Sequence, residues 1–202
     1  MTTPRRSTTI VLAAGWSSRT GASNKLFFPI GTSTVLETVV SKALSSGAET
    51  IVVTGHESER VATLLSPYDV RVVQNNRFET GMASSIVCGV RHAIESDSYL
   101  IWPGDMPLIR PETVQVVRDR ATDGKVVVPS FEGRRGHPVL FANAFRNDLL
   151  SLTGDVGARA ILHDRAQVVD EIPVSDAGIL FDVDTPEAYD ELLRRLSASP
   201  ND

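Results

Sequence analysis

Apolar positions in this chain fall into short continuous runs, separated by segments with helical spacing. Residues 8–13 form the first run. It is β-branched and apolar without alternation, which marks a strand covered on both faces. Residues 50–53, 70–74, 99–102 and 125–128 repeat the pattern. Between the runs, apolar residues recur every three or four positions. Val35, Leu36, Val39, Val40, Ala43 and Leu44 make one stripe, with Ser33 or Thr34 as its cap and Gly47 as its stop. Residues 57–65 predict a second helix. Residues 82–94 predict a third, with Ile86, Val87, Val90 and Ile94 turned inward. A fourth starts at Pro111, a residue suited to a first helical turn, and runs to 120.

Beyond residue 130 the pattern shortens. Residues 131–137 are glycine-rich and basic and read as a loop. A short strand follows at 139–141, then short helices at 144–150 and 156–163 and a strand at 168–173. Asp184 or Thr185 caps a last helix that turns Ala188, Tyr189, Leu192, Leu193 and Leu196 inward. Alternating strands and helices predict right-handed βαβ units. The expected fold class is therefore α/β: a Rossmann-like three-layer α/β/α arrangement with a mostly parallel sheet. One domain is expected over 8–196, with flexible ends at 1–7 and 197–202. In such folds ligands bind outside the carboxyl ends of the strands, so the residues just after each strand matter most.

Composition narrows the function classes. The 202 residues suffice for one domain with a real core. A net charge of -5 argues against a nucleic-acid binder that works by neutralising phosphates. The single cysteine, Cys88, excludes a disulfide within the chain and a cysteine-based zinc site. The first apolar run is too short for a secretory signal, and no run approaches a membrane span. The expected location is cytoplasmic, with no membrane partner. Only three lysines occur, Lys25, Lys42 and Lys125.

Several segments carry candidate chemistry. After the first strand, Ala13, Ala14 and Gly15 allow close backbone approach to a flat or anionic ligand, and Arg19 and Lys25 add charge to the same loop. The loop is no P-loop and no dinucleotide fingerprint, and it lacks the last glycine of a nucleophile elbow. After the fourth strand, Asp105 sits between Gly104 and Met106-Pro107, well placed for Mg²⁺, which takes one or two carboxylates plus phosphates. Asp182 and Asp184 share a side if their segment is extended, and one of them can complete that site. Gly81-Met82-Ala83-Ser84-Ser85 opens a helix whose amides and hydroxyls suit a base edge or a phosphate. Each segment also has a plainer reading as a turn, a cap or a charged surface loop. The basic loop Gly133-Arg134-Arg135-Gly136-His137 suits an anionic co-substrate, and Gly154-Asp155-Val156-Gly157-Ala158-Arg159 reads as a turn entering a helix, with Arg159 expected to face the site.

Together these segments resemble the MobA-like nucleotidyltransferases, and within them the MocA-type molybdenum cofactor cytidylyltransferases. The resemblance rests on Leu12-Ala13-Ala14-Gly15, Ser17, Arg19, Asn24-Lys25-Leu26, Gly81-Met82-Ala83-Ser84-Ser85, Gly104-Asp105-Met106-Pro107, Gly136-His137-Pro138-Val139-Leu140, Gly154-Asp155-Val156-Gly157-Ala158-Arg159 and Asp182-Val183-Asp184-Thr185-Pro186. These occur in the family's order over nearly the whole chain. Trp16 is bulkier than the residue expected there, and Thr20 stands where Met is usual.

The resemblance implies transfer of CMP from CTP to a phosphorylated pterin, molybdopterin or the molybdenum cofactor, with release of pyrophosphate and with Mg²⁺ as cofactor. It implies Arg19, Lys25 and Asp105 as catalytic residues. Nucleotide binding falls to Leu12, Ala13, Ala14, Gly15, Arg19, Lys25, Gly81, Ser84 and Ser85. Acceptor binding falls to Arg135, Gly136 and His137, and metal binding to Asp105 and Asp184. Ala14 favours cytidine, because guanylyltransferase relatives tend to carry Gly there. A molybdenum hydroxylase is the implied client. The alternatives are another base or acceptor (GTP, a sugar or alcohol phosphate) and a non-catalytic nucleotide- or pterin-binding accessory protein.

Overall fold

The buried runs become the strands of one sheet, and the stripes between them become its covering helices. The computed structural model describes residues 6–16, 24–93 and 95–198. Ile94 and residues 1–5 and 199–202 of the expected flexible ends lie outside those residues, whereas Ser7 already belongs to the first strand and Ser197 and Ala198 to the last helix, which the strand and helix hydrogen bonds hold in place. Strand β1 (Ser7–Ala13) leads past a small hairpin, β2 (Pro29–Ile30) and β3 (Ser33–Thr34), into helix α1 (Val35–Ser45). Thr34 closes a reciprocal cap there: its hydroxyl accepts from the Glu37 amide, and the Glu37 carboxylate accepts from the Thr34 amide. Strand β4 (Glu49–Thr54), helix α2 (Ser58–Leu64), strand β5 (Arg71–Gln74), helix α3 (Met82–His92) and strand β6 (Ser98–Pro103) follow. Next come α4 (Pro111–Asp119), β7 (Val126–Phe131), β8 (Arg134–Arg135), β9 (Val139–Ala142), α5 (Arg146–Leu150), α6 (Arg159–Asp164), β10 (Val169–Pro173) and α7 (Pro186–Ala198).

Among the described residues the main sheet runs β10-β7-β9-β6-β1-β4-β5, with β8 beside β7. The pairs β1–β4, β1–β6, β4–β5 and β7–β10 are parallel. Strand β9 runs antiparallel to both β6 and β7. The sheet is thus mostly parallel, with one reversed strand set into its middle. The basic segment expected as a loop instead folds back on β7 as β8, pairing Ser130 with Arg135 and Phe131 with Arg134.

Alternation along β1 builds two cores. Val11 and Ala13 pack on one face with α1, α2 and α4, around Leu36, Val40, Val61, Val114 and Trp102. Ile10 packs on the other with Ile86 and Val90 of α3, Leu149 of α5 and Ile161 of α6. Helix α7 closes a smaller cluster, Val35, Val183 and Leu192. No helix among the described residues is long and apolar enough to cross a membrane.

The chain order sets where a ligand belongs. From β1 it moves outward to β4 and β5, then crosses back to β6 on the other side of β1. The loops leaving β1 and β6 therefore diverge, and a crevice opens at their carboxyl ends.

Candidate active site

At that crevice lies a cavity of about 1000 Å³. Its floor comes from three separate segments. The first is the loop after β1. Asn24 accepts the Leu26 amide with its side-chain oxygen and donates to Glu57 at 2.9 Å. Leu26 is buried in the core, so the turn is pinned on both sides and Lys25 reaches the cavity. The second is the turn after β6. The Gly104 amide donates to the Leu12 carbonyl at 2.8 Å. A Cβ on Gly104 would lie 2.9 Å from that oxygen, tighter than real Cβ contacts. Glycine thus lets the turn press against the end of β1 and delivers Asp105 to the same floor.

The third segment is residues 182–184. The Val183 amide donates to the Asp105 carbonyl at 3.0 Å, and the Val183 side chain is fully buried. Asp182 and Asp184 flank it and both line the cavity. Thr185, not Asp184, caps α7, accepting the Ala188 amide at 3.2 Å. The Asp184 carboxylate reaches the floor.

There the three segments meet. The Lys25 ammonium donates to Asp105 at 2.5 Å and also to Asp184. Burial disfavours the charge on Lys25, but the two carboxylates outweigh it and raise its pKa. Asp182 is pushed up as well, first by burial and then by the charges of Asp184 and Asp105. With Asp182 included, three carboxylates face one ammonium.

Among the described residues no group of three or more His, Cys, Asp or Glu side chains is arranged to hold a metal by itself. Asp105 and Asp184 nevertheless suit a hard divalent cation that completes its shell with phosphate and water oxygens, as Mg²⁺ does. A closed zinc cage would need more protein ligands than they supply.

Most residues expected at the site line this one cavity: Leu12, Ala13, Ala14, Gly15, Lys25, Gly81, Ser85, Asp105, Arg135, Gly136, His137 and Asp184. Arg19 lies outside the described residues. Ser84 departs from expectation. Its hydroxyl donates to the Gly81 and Arg77 carbonyls and accepts from Asn75, and it does not line the cavity.

The start of α3 departs too. Gly81 has a φ of 106°, open to glycine and strained for other residues. The next two amides are already used: Met82 donates to Asp155 at 3.3 Å and Ala83 to the Gly154 carbonyl at 3.2 Å. They are not free for a phosphate.

A further wall separates three residues that the sequence groups together. The Arg135 guanidinium is paired with Glu171 at 2.7 Å. Gly136 is buried, and its amide donates to Pro129 at 2.9 Å. His137 keeps part of its surface exposed, yet its Nδ1 is closed off and has no partner. Burial pushes the His137 pKa down to about 4; Arg159 acts in the same direction, while Asp105 and a hydrogen bond to the Ile101 backbone oppose it. The ring is neutral at neutral pH. Arg159 is exposed, lines the cavity, and acts on His137 through its charge.

Trp16 and Asp155 also line the cavity without being expected among the functional residues, and so does Asp182, the alternative to Asp184 as a metal carboxylate. The Asp155 contact spans 73 residues, a distance that no local pattern reveals. Cys88 lies away from the cavity, and burial pushes its thiol up, so it is no activated nucleophile.

Comparison with known proteins shows what the fold and the chain are similar to. A nucleotidyl transferase from Methanothermobacter superposes with a TM-score of 0.86 at 26% identity, covering 96% of this chain and 99% of that one. Protein Rv0371c of Mycobacterium tuberculosis H37Rv, solved in complex with manganese, gives 0.80 at 25% identity over 94% and 98% of the two chains. Nicotine blue oxidoreductase from Paenarthrobacter nicotinovorans is 29% identical over 92% of this chain and 96% of its own. The MobA-like NTP transferase domain matches residues 9–170, and the chain belongs to that family.

Proposed function

We propose that the protein transfers CMP from CTP to the terminal phosphate of a phosphorylated pterin, molybdopterin or the molybdenum cofactor, with Mg²⁺ and with release of pyrophosphate. A molybdenum hydroxylase is the client that would receive the product. The observation that carries the reading is the convergence of Lys25 with Asp105 and Asp184, 80 and 159 residues away in the chain, on the floor of the cavity.

In the reaction an oxygen of the acceptor phosphate forms a bond to the α-phosphorus, and the bond from that phosphorus to the bridging oxygen breaks. Pyrophosphate leaves with the electron pair. The attacking oxygen is already anionic at neutral pH, so no general base is needed. Positioning and charge stabilisation dominate. Lys25 holds the leaving phosphates as a point charge, and Arg19 adds a fork of donors from the same loop. Asp105 and Asp184 would hold the cation, which offsets charge on the phosphate oxygens when bound. Ala13, Ala14 and Gly15 admit the nucleotide close to the backbone, and Gly81 and Ser85 line the same cavity.

On the acceptor side, Gly136 and His137 form the wall. Arg159 is a better partner for the acceptor's anionic group than Arg135, whose charge Glu171 already answers.

A hydride-transfer reading follows from the name of one relative, nicotine blue oxidoreductase. It gives Asp105 and Asp184 no role, whereas transfer between phosphates uses both. The test is pyrophosphate release from CTP with Mg²⁺ and molybdenum cofactor. Lys25→Ala and Asp105→Ala are expected to lose release while keeping the wild-type circular dichroism. Near-wild-type turnover in either variant overturns the proposal. Oxidation of NADPH without pyrophosphate favours the relative's chemistry. Turnover with GTP, or with a sugar phosphate in place of pterin, corrects the base or the acceptor and leaves transfer standing.

A further inference from the structure

Among the described residues six large apolar side chains are exposed: Trp16, Met82, Val116, Val156, Leu193 and Leu196. Three of them, Trp16, Met82 and Val156, line the same cavity. Trp16 is 53% exposed, and a large apolar side chain left open at a polar site calls for an explanation. Its indole is not loose. It stacks on His56 with ring centroids 4.6 Å apart and planes 24° from parallel, and it meets Phe78 at 5.4 Å. His56 is tied to the nucleotide loop by its amide, which donates to the Ala14 carbonyl at 3.4 Å. One indole face is thus occupied by His56, and the remainder faces the cavity.

Trp16 directly follows Ala13, Ala14 and Gly15, on the loop that also carries Lys25. A nucleotide whose leaving phosphates sit on Lys25 carries its base one ribose beyond the α-phosphate, and Trp16 and the small residues 13–15 line the same cavity as Lys25. The acceptor approaches from the wall of His137 and Arg159.

We infer that Trp16, backed by His56 and flanked by Phe78, is the stacking platform for the nucleobase of the incoming nucleoside triphosphate. The inference rests on the reading of the cavity as a nucleotidyltransferase site and adds a residue to it. Stacking on an aromatic face is tolerant of base identity, because every base has a π-face. Trp16 therefore supplies affinity, and discrimination between bases comes from edge contacts elsewhere.

The test is a fluorescence titration in Mg²⁺ with CTP, GTP, ATP and UTP, and with inorganic triphosphate. The protein has two tryptophans, and Trp102 is fully buried, so a ligand-dependent change reports on Trp16. Each nucleotide that binds is expected to quench the emission, and inorganic triphosphate to leave it nearly unchanged. Calorimetry on Trp16→Ala should show every such nucleotide weakened by one common factor, about 5- to 150-fold, with triphosphate affinity retained. In turnover the loss should fall on KM for the nucleotide and not on KM for the acceptor. Trp16→Phe should recover most of the affinity.

Unchanged nucleotide affinity in Trp16→Ala, with triphosphate still bound, overturns the stacking role and leaves the site reading intact. Weakening confined to one base, or a rise in KM for the acceptor alone, also overturns it. No binding of any nucleotide or of triphosphate overturns both.

Discussion

On the floor of the cavity Lys25 is buried with its charge answered by Asp105 and Asp184. On the His137 wall, within reach of the Asp105 charge, the ring keeps its Nδ1 closed off and unpartnered, and its pKa falls to about 4. Burial opposes the charged form of both groups. What separates them is the balance of neighbouring charge. The floor holds more carboxylates than ammonium groups and therefore calls for a cation. The wall holds a neutral ring beside an arginine with no such excess. The floor is thus suited to a metal–triphosphate complex, and the wall to the polar edge and anionic group of an acceptor.

The strongest way to break this contrast is to remove the ammonium. Lys25→Ala should lower kcat/KM for transfer by about 10²- to 10³-fold, the scale of losing one positioned charge at a reacting centre. Steady-state pyrophosphate assays measure it. A smaller effect is expected on the wall. Arg159→Ala should raise KM for the acceptor about tenfold, the scale of one charge-assisted contact. Arg135→Ala, whose partner is Glu171, should change it by about threefold or less. Acceptor titrations at saturating CTP separate the two.

The wall also predicts a pH dependence. The folded pKa of His137 lies below the ordinary 6.5, at about 4. In that window the unfolded chain binds the proton and the folded chain does not. Stability contributed by neutral His137 is therefore complete above pH 6.5 and is lost as the pH falls through about 4. Thermal melts across that range should show the loss, and His137→Gln should flatten this part of the profile. The smallest effect is expected at Ser84. Its hydroxyl serves backbone carbonyls, so Ser84→Ala should leave kcat/KM for CTP within about twofold. A large loss would place that hydroxyl in the nucleotide site after all.

Much of the floor was legible in the sequence. Uninterrupted apolar runs gave the parallel strands, and a ligand crevice at strand ends follows from that order. Lys25 and Asp105 stand just beyond β1 and β6, where such a reading looks first. The choice of cap on α7 was not legible, because Asp184 and Thr185 are equally good cap types. Only the geometry shows that Thr185 takes the Ala188 amide while Asp184 accepts from Lys25.

The wall was harder to read. Strand β8 has two residues, Arg134–Arg135, too short to carry a period, and the hairpin of β2 and β3 escapes notice for the same reason. Pairing of Arg135 with Glu171 and of the Met82 amide with Asp155 joins distant segments. Residue types suggested free charge and free amides there. Tertiary partners had already claimed them.

The central claim is that Lys25, Asp105 and Asp184 together receive a triphosphate with its cation. Calorimetric titration of CTP into the wild type and Asp105→Asn, with and without Mg²⁺, tests it most directly. The account predicts tight binding to the wild type only when Mg²⁺ is present, and a large loss of that Mg²⁺ dependence in Asp105→Asn. Equal CTP affinity with and without Mg²⁺ in the wild type would contradict it.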